Sequence, residues 1–265
     1  ISLPEGHTFA VGLRGMLNHD RGLIDTGNIF RVYRDNLRTT NEEVEYRRAD
    51  IDAAISALVA TGVQRVELQL AWSFTVASTD NIAGRMLHIR DDALAQLGDA
   101  SPAFHIDDVA KNAEDRIAVT ITGTYEVPNY LTGDGSPGQR FNYATDTSLD
   151  PDALPAQNGT IQVAFQCNVS DATMATDQPA HLVQYGHGLL GSHLEINAGN
   201  VRAFANESNV VFCATKWAGM SEDDIGNAAA TLGEFGNFKT LADRLQQGVL
   251  NQIFLGRLMT RAGGL

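Results

Sequence analysis

Residues 182–192, Leu-Val-Gln-Tyr-Gly-His-Gly-Leu-Leu-Gly-Ser, run a short apolar strand straight into a glycine-rich turn that holds His187, Gly188, Leu189, Leu190 and Gly191. Glycines after a strand let the backbone approach a ligand closely, and an N–H held in such a turn can donate to the oxyanion that develops during acyl transfer. The expected donor is the Leu189 N–H, with His187 shaping the loop through hydrogen bonds instead of acting as the base. A tight turn with no ligand is the plainer alternative for the same glycines. Acyl transfer also needs a nucleophile. A serine on a strained strand-to-helix turn requires small residues on both sides, as in G-x-S-x-G. Gly219-Met220-Ser221-Glu222-Asp223 lacks the second glycine and Asp134-Gly135-Ser136-Pro137-Gly138 lacks the first, so neither serine is expected to attack.

Other reactive residue types form weaker patterns. His181, His187 and His193 are six apart, and six residues of strand span roughly 20 Å, too far for ligands of one ion. His7, His19, His88 and His105 have no partner spacing, so neither a metal nor a cofactor is expected. Ser221-Glu222-Asp223-Asp224 reads as a capped helix start. Trp217, just beyond an apolar run, is a candidate for a substrate pocket, whereas Trp72 and Phe74 are expected in the core.

Composition narrows the partners. The chain has 265 residues, 43% of them hydrophobic, enough for a substantial core. Its 32 acidic and 19 basic residues give a formal charge of −13, which repels phosphate backbones and anionic membrane surfaces, so nucleic acid is not an expected partner. No apolar run reaches the ~20 residues of a bilayer span, so no transmembrane segment is expected. Ile1 opens without the order of a signal peptide, and a first residue other than Met is expected of a processed or truncated chain. Cys167 and Cys213 lie in apolar runs; two buried free thiols are the first expectation. A single disulfide, which would mark an oxidising compartment, is the alternative. Sequons begin at Asn158, Asn168 and Asn206 and carry little weight.

These residues need elements to position them. Residues 8–13 read as a strand with a hairpin-like exit, and 41–60 as one helix with Asn41 as its cap. Residues 66–76 alternate as a half-buried strand with Val66, Leu68, Leu70, Trp72, Phe74 and Val76 on the inner face. A helix is expected over 82–97. Strands follow over 117–127 and 161–167, with a long exposed loop from Thr132 to Asn158 between them, the best site for mobility or cleavage. From 182 onward strand and helix alternate: strand 182–185, helix 196–207, strand 210–214 and a long final helix whose inner face is Phe238, Leu241, Ala242, Leu245, Val249, Ile253 and Leu258. That order predicts an α/β fold with a parallel sheet covered by helices.

Four segments, Leu70–Ser78, Tyr185–Ser192, Cys213–Ser221 and Ala242–Gly248, together resemble a group of large bacterial secreted or lipoprotein α/β-hydrolases related to virulence-factor-type lipases. The likeness spans residues 64 to 260. It implies an N-terminal mixed α/β or β-rich accessory domain, 1–100, followed over 101–265 by the first half of a hydrolase sheet, and a secreted, periplasmic or lipoprotein-anchored location. In that pattern the nucleophile serine follows the long helix and one more short strand, beyond Gly263-Gly264-Leu265. The expectation is therefore the N-terminal portion of a serine ester hydrolase acting on a small-molecule or lipid ester. Its nucleophile would lie in a C-terminal portion present as a second chain or absent. A non-catalytic assembly or surface-binding module is the competing class.

Overall fold

The computed structural model describes residues 2–144 and 153–265. Among the described residues the chain is mixed α/β, with eight α-helices, a two-stranded sheet and a five-stranded mixed sheet. It forms two compact units, one ending at Ile82 and one running from Ala83 to Leu265.

The first unit holds β1 (Thr8–Arg14), α1 (Asn28–Arg34), α2 (Glu42–Tyr46), α3 (Arg48–Ala60) and β2 (Leu68–Thr75). The helix expected over 41–60 is two helices. Asn41 caps the first by accepting from the Glu43 and Val44 N–H groups, and after Arg47 the buried Arg48 turns back to bind Glu45 and the Leu37 carbonyl. β1 and β2 pair antiparallel, with Phe9 opposite Phe74, Val11 opposite Trp72 and Leu13 opposite Leu70. Opposite residues share a face, so these six lie on one side of the ribbon and Ala10, Gly12 and Ala71 on the other. α3 packs on the second side, where Gly12 leaves room for the Leu58 and Leu68 side chains. Ile55, Leu68 and Ala71 are accordingly buried, while Leu70, Trp72 and Phe74 stay 41%, 37% and 40% exposed. This corrects the expected inner face. The small residues took the core side because a helix can approach them, and a bulge between Leu13 and Arg14 shifts the parity so that Leu68 is buried together with Ala71.

α4 (Thr79–Leu97) leads into the second unit, whose sheet is built from β3 (Phe104–Glu114), β4 (Ile117–Pro128), β5 (Thr160–Ser170), β6 (His181–Tyr185) and β7 (Val210–Thr215). α5 (Asp171–Met174) and α6 (Gly199–Ser208) connect the later strands; α7 (Ile225–Gly233) and α8 (Lys239–Thr260) complete the unit. The strand order is β3-β4-β5-β7-β6. Only β6 and β7 are parallel, so the expected parallel sheet is a mixed one, although the 117, 161, 182 and 210 runs do share it. The period of two along β7 explains its two-sided burial. Val210, Phe212 and Ala214 pack with Ile196, Val201 and Ala205 on one face, and Cys213 joins Phe165, Leu250 and Phe254 on the other.

Cys167 and Cys213 stand directly opposite each other in the β5–β7 register and form a disulfide, which corrects the expectation of free thiols. A disulfide there points to an oxidising, extracytoplasmic compartment. No helix among the described residues is long and apolar enough to cross a membrane. The loop expected to be exposed from Thr132 to Asn158 is in part a packed segment. Phe141 is fully buried, forms a β-bridge with Leu131 just before the loop, and donates its N–H to Asp243 Oδ2 at 2.9 Å. Residues 145–152 of that stretch lie outside the described residues.

The inner face of α8 also differs from expectation. Arg244, Gln247, Gly248, Asn251, Phe254, Leu255 and Leu258 are buried, while Phe238 is exposed. The polar members are inside because the main chain there needs partners. Gln247 Oε1 accepts from Tyr130 N–H and its Nε2 donates to the Pro128 carbonyl.

Candidate active site

β6 and β7 run parallel, so the turns that leave them lie side by side at the carboxyl edge of the sheet, the end where open α/β sheets bind ligands. The first turn is residues 186–192 and the second 216–221. They are laced together: Leu190 N–H donates to the Met220 carbonyl at 2.7 Å, Glu222 N–H donates to the Gly191 carbonyl at 2.9 Å, and Gly191 and Ser221 form a parallel bridge.

His187 is buried in the middle of this lacing. Its Nε2 accepts from the Trp217 N–H at 2.8 Å, so Nδ1 carries the ring proton and donates to the Gly188 carbonyl at 2.8 Å. Both ring nitrogens are occupied, which suits a brace. Gly188 O accepts a second bond, from Gly191 N–H at 3.0 Å. The carbonyl of residue 188 and the N–H of residue 189 belong to one planar trans peptide and point in opposite directions. Because the carbonyl is pinned inward by two donors, the Leu189 N–H is turned outward.

Of the four N–H groups from 188 to 191, three have partners. Gly188 donates to Glu195 Oε2 at 3.1 Å, and Leu190 and Gly191 donate as above. Leu189 N–H meets no acceptor among the described residues, and the residue is 80% exposed. The turn is held under strain: Leu190 has φ 56°, a left-handed conformation unusual for a bulky residue. A Cβ on Gly191 would overlap Glu195 Oε1, so that carboxylate would have to move, and it would come within 3.1 Å of the Gly188 carbonyl. Glu195, on the 3₁₀ turn His193–Asn197, was not anticipated from the sequence. Its spacing of seven from Gly188 gives no periodic signal.

The second turn rests on a buried ion pair. Asp224 Oδ2 accepts from Gly219 N–H, Ser221 N–H and Ser221 Oγ at 2.9, 3.1 and 2.8 Å, and Oδ1 accepts from Arg244 Nε at 2.6 Å. Arg244 also donates to the Gly135 carbonyl. The capping box read at Ser221–Asp224 is present. Glu222 and Asp223 both pair with Lys216 at 2.9 Å. Ser221 Oγ is thus buried and donates to a carboxylate, and among the described residues it makes no hydrogen bond to an imidazole. Ser136, the other serine considered, lines the same cavity as Ser221, a space of about 440 Å³ that also meets His193, Lys216 and Arg244. Burial, and then the Lys216 charge, hold the His193 imidazole below its usual range.

Trp217 lays its ring over Gly186 and against Gly248 of α8, with Nε1 buried and without a hydrogen-bond partner among the described residues. A Cβ at Gly248 would meet the Trp217 ring within 2.6 Å, so the glycine is what lets the indole lie between turn and helix. Its ring is not among the walls of the 440 Å³ cavity. The three spaced histidines are separated in role: His181 is exposed, His187 is the brace and His193 half-lines the cavity. No three His, Cys, Asp or Glu side chains among the described residues converge as metal ligands.

Comparison of the chain with protein-family models, with curated proteins and with solved structures finds no match.

Proposed function

We propose that the chain is the N-terminal portion of a serine carboxylic-ester hydrolase, of the kind that the virulence-factor-type lipases resemble, and that it supplies the oxyanion turn. One observation carries the reading: in a strained turn at the carboxyl edge of parallel strands, the N–H groups of Gly188, Leu190 and Gly191 are tied to partners, while that of Leu189 between them meets no acceptor among the described residues and is aimed outward. A preorganised donor of this kind costs no reorganisation when negative charge develops on an acyl oxygen.

The nucleophile belongs to a further strand and elbow, carried by a C-terminal portion or by a second chain. Among the described residues β7 has neighbours on both sides and β6 on one. A strand following α8 and added parallel to β6 would end beside residues 186–191, the place a serine elbow needs to occupy. The elbow would also bring the second oxyanion donor, the N–H after its serine. In this scheme Trp217 packs the turn from below, and the substrate is a small-molecule or lipid ester met outside the cytoplasm, in a secreted, periplasmic or lipoprotein-anchored enzyme.

Fluorophosphonate labelling tests the assignment. The 265-residue chain is expected to stay unlabelled, and the protein containing the C-terminal portion to be labelled on one serine outside residues 1–265. In that protein Leu189→Pro, checked for an unchanged melting profile, is expected to lower turnover of a short-chain ester about 100-fold to 1,000-fold, and Leu189→Ala, which keeps the N–H, far less. Labelling of a serine within 1–265, or equal turnover by folded Leu189→Pro, overturns the assignment.

A further inference from the structure

The first unit has two adjoining cavities that the hydrolase reading leaves unused. One, of about 640 Å³, has Arg14, Arg31 and Arg34 in its walls; the other, of about 870 Å³, is an apolar groove formed by Met16, Ile29, Phe30, Val44, Ile51 and Leu70. Asp25 and Gln69 line both, so the two spaces meet at those residues. Gln69 is held in place at this junction: its Oε1 accepts from Met16 N–H at 2.6 Å, and its Nε2 donates to the Met16 and Ile24 carbonyls. Both volumes fall in the range of small-molecule sites, and an apolar slot ending at a few oriented charged groups is the form such sites take.

The charges at the junction are not equivalent. Arg14 is bound to Glu67 at 2.7 Å and Arg34 to Asp35 at 2.7 Å. Arg31 has no carboxylate within ion-pair distance among the described residues; its one hydrogen bond is at 3.5 Å to the Thr26 carbonyl, and its charge acts at longer range on the Asp35 carboxylate that Arg34 holds. Arg34 Nη1 donates to Thr26 Oγ1 at 2.8 Å, so two guanidinium groups converge on the buried Thr26 and only one of them is paired. Around the two cavities stand four arginines, counting Arg47, and three carboxylates, Asp25, Glu43 and Glu67. In a chain with 32 acids to 19 bases, that is a local reversal of charge.

We infer that this unit binds a single-chain anionic amphiphile, a long-chain carboxylate, with its head on Arg31 beside Arg34 and its hydrocarbon tail in the groove. A planar guanidinium matches a carboxylate with two parallel hydrogen bonds, and the groove shelters methylenes that would otherwise face water. The site stands apart from the hydrolase reading and does not depend on it.

Calorimetric titration of the whole chain with dodecanoate, acetate and dodecyltrimethylammonium, each below its aggregation concentration, tests the site. Dodecanoate is expected to bind saturably at one per chain. Acetate, which lacks the tail, is expected to show no measurable binding, and the cation of equal tail length to bind at least about tenfold more weakly, against the pull of the chain's net charge of −13. Arg31→Gln and Ile29→Glu change exposed positions, so the fold is retained, as circular dichroism would verify. Each is expected to weaken dodecanoate about tenfold or more. Absence of saturable dodecanoate binding to the folded chain, equal binding of the two amphiphiles, or unchanged affinity in Arg31→Gln overturns the inference.

Discussion

The imidazole of His187 holds the main chain of Trp217: the Trp217 N–H donates to His187 Nε2 at 2.8 Å across thirty residues of sequence. Through its other nitrogen the same ring pins the Gly188 carbonyl, so one side chain fixes the relative position of the two turns at the carboxyl edge of β6 and β7. The catalytic reading of Leu189 depends on this brace, because the direction of its N–H follows from the pinned carbonyl.

His187→Ala removes both bonds and leaves the Trp217 N–H without its acceptor in a part-buried place. A buried donor left unpaired costs about 1–3 kcal/mol, and that loss is expected from urea unfolding. Amide exchange supplies the sharper check: protection should fall at Leu190 and Trp217, the N–H groups that join the turns, and not in β4 or β5. Uniform loss of protection would show that the ring only fills space.

Gly191→Ala pushes a methyl group against the Glu195 carboxylate. We expect it to destabilise by about 1–3 kcal/mol, as overpacking does. Shortening the opposing side chain should return part of that loss. In a double-mutant cycle with Glu195→Ala, a coupling of about 1 kcal/mol or more is the expected result. Strict additivity would mean that the turn yields elsewhere.

The sequence made some of this plain and hid the rest for physical reasons. β6, β7 and the glycine turn were readable because short apolar runs bounded by glycine are local signals. β3 was missed because Asp107, Asp108 and Lys111 occupy an edge strand, and a bulge between Ile106 and Asp108 breaks its alternation. α1 has only seven residues and no acidic first turn. The buried face of α8 was misread since apolar periodicity selects Leu241, Leu245, Val249 and Ile253, whereas the main chain of residues 128–135 needs Arg244 and Gln247 inside. Leu70, Trp72 and Phe74 looked like core because hydrophobicity does not say which face of a ribbon a helix will cover. The His187–Trp217 and Glu195–Gly188 bonds join residues with no periodic relation, so no pattern could announce them.

The buried pair Asp224–Arg244 is the footing of the second turn. Replacing Arg244 with Met strands a carboxylate that is fully buried, and breaking a buried pair from one side typically costs about 3–5 kcal/mol. Asp224→Asn/Arg244→Met, which removes both charges, should be less destabilised than Arg244→Met alone. Thermal unfolding of the two variants decides it, and a double variant at least as unstable as the single one would place the damage in packing.

Glu45 gives the first unit a defined acid response. Its hydrogen bond from Arg48, aided by the Thr39 N–H and Arg38, lowers its pKa from 4.5 to about 2. The folded value lies below the unfolded one, so the unfolded chain binds the extra proton. The contribution is full above pH 4.5 and is lost as pH falls through about 2. Carboxyl chemical shifts followed by NMR should show Glu45 titrating at the low end of that window. Glu45→Gln should flatten the acid limb of stability over the same interval, and a midpoint near 4.5 in the folded protein would refute the pairing.

The disulfide closes a sequence separation of 46 between β5 and β7, the strand that carries the second turn. In the chain-entropy account a cross-link of that span removes about 4 kcal/mol of freedom from the unfolded chain, and native disulfides usually return about 2–5 kcal/mol. Urea unfolding with and without a reductant is expected to differ by that amount. The paired variant Cys167→Ala/Cys213→Ala should match the reduced protein. Because both sulfurs are buried between strands, reduction is expected only after opening of the sheet edge formed by β7 and β6, and therefore to be slow in native buffer and fast in mild denaturant. Equal stability of oxidised and reduced chains would show that the bond contributes nothing to the fold and would remove its argument for an oxidising compartment.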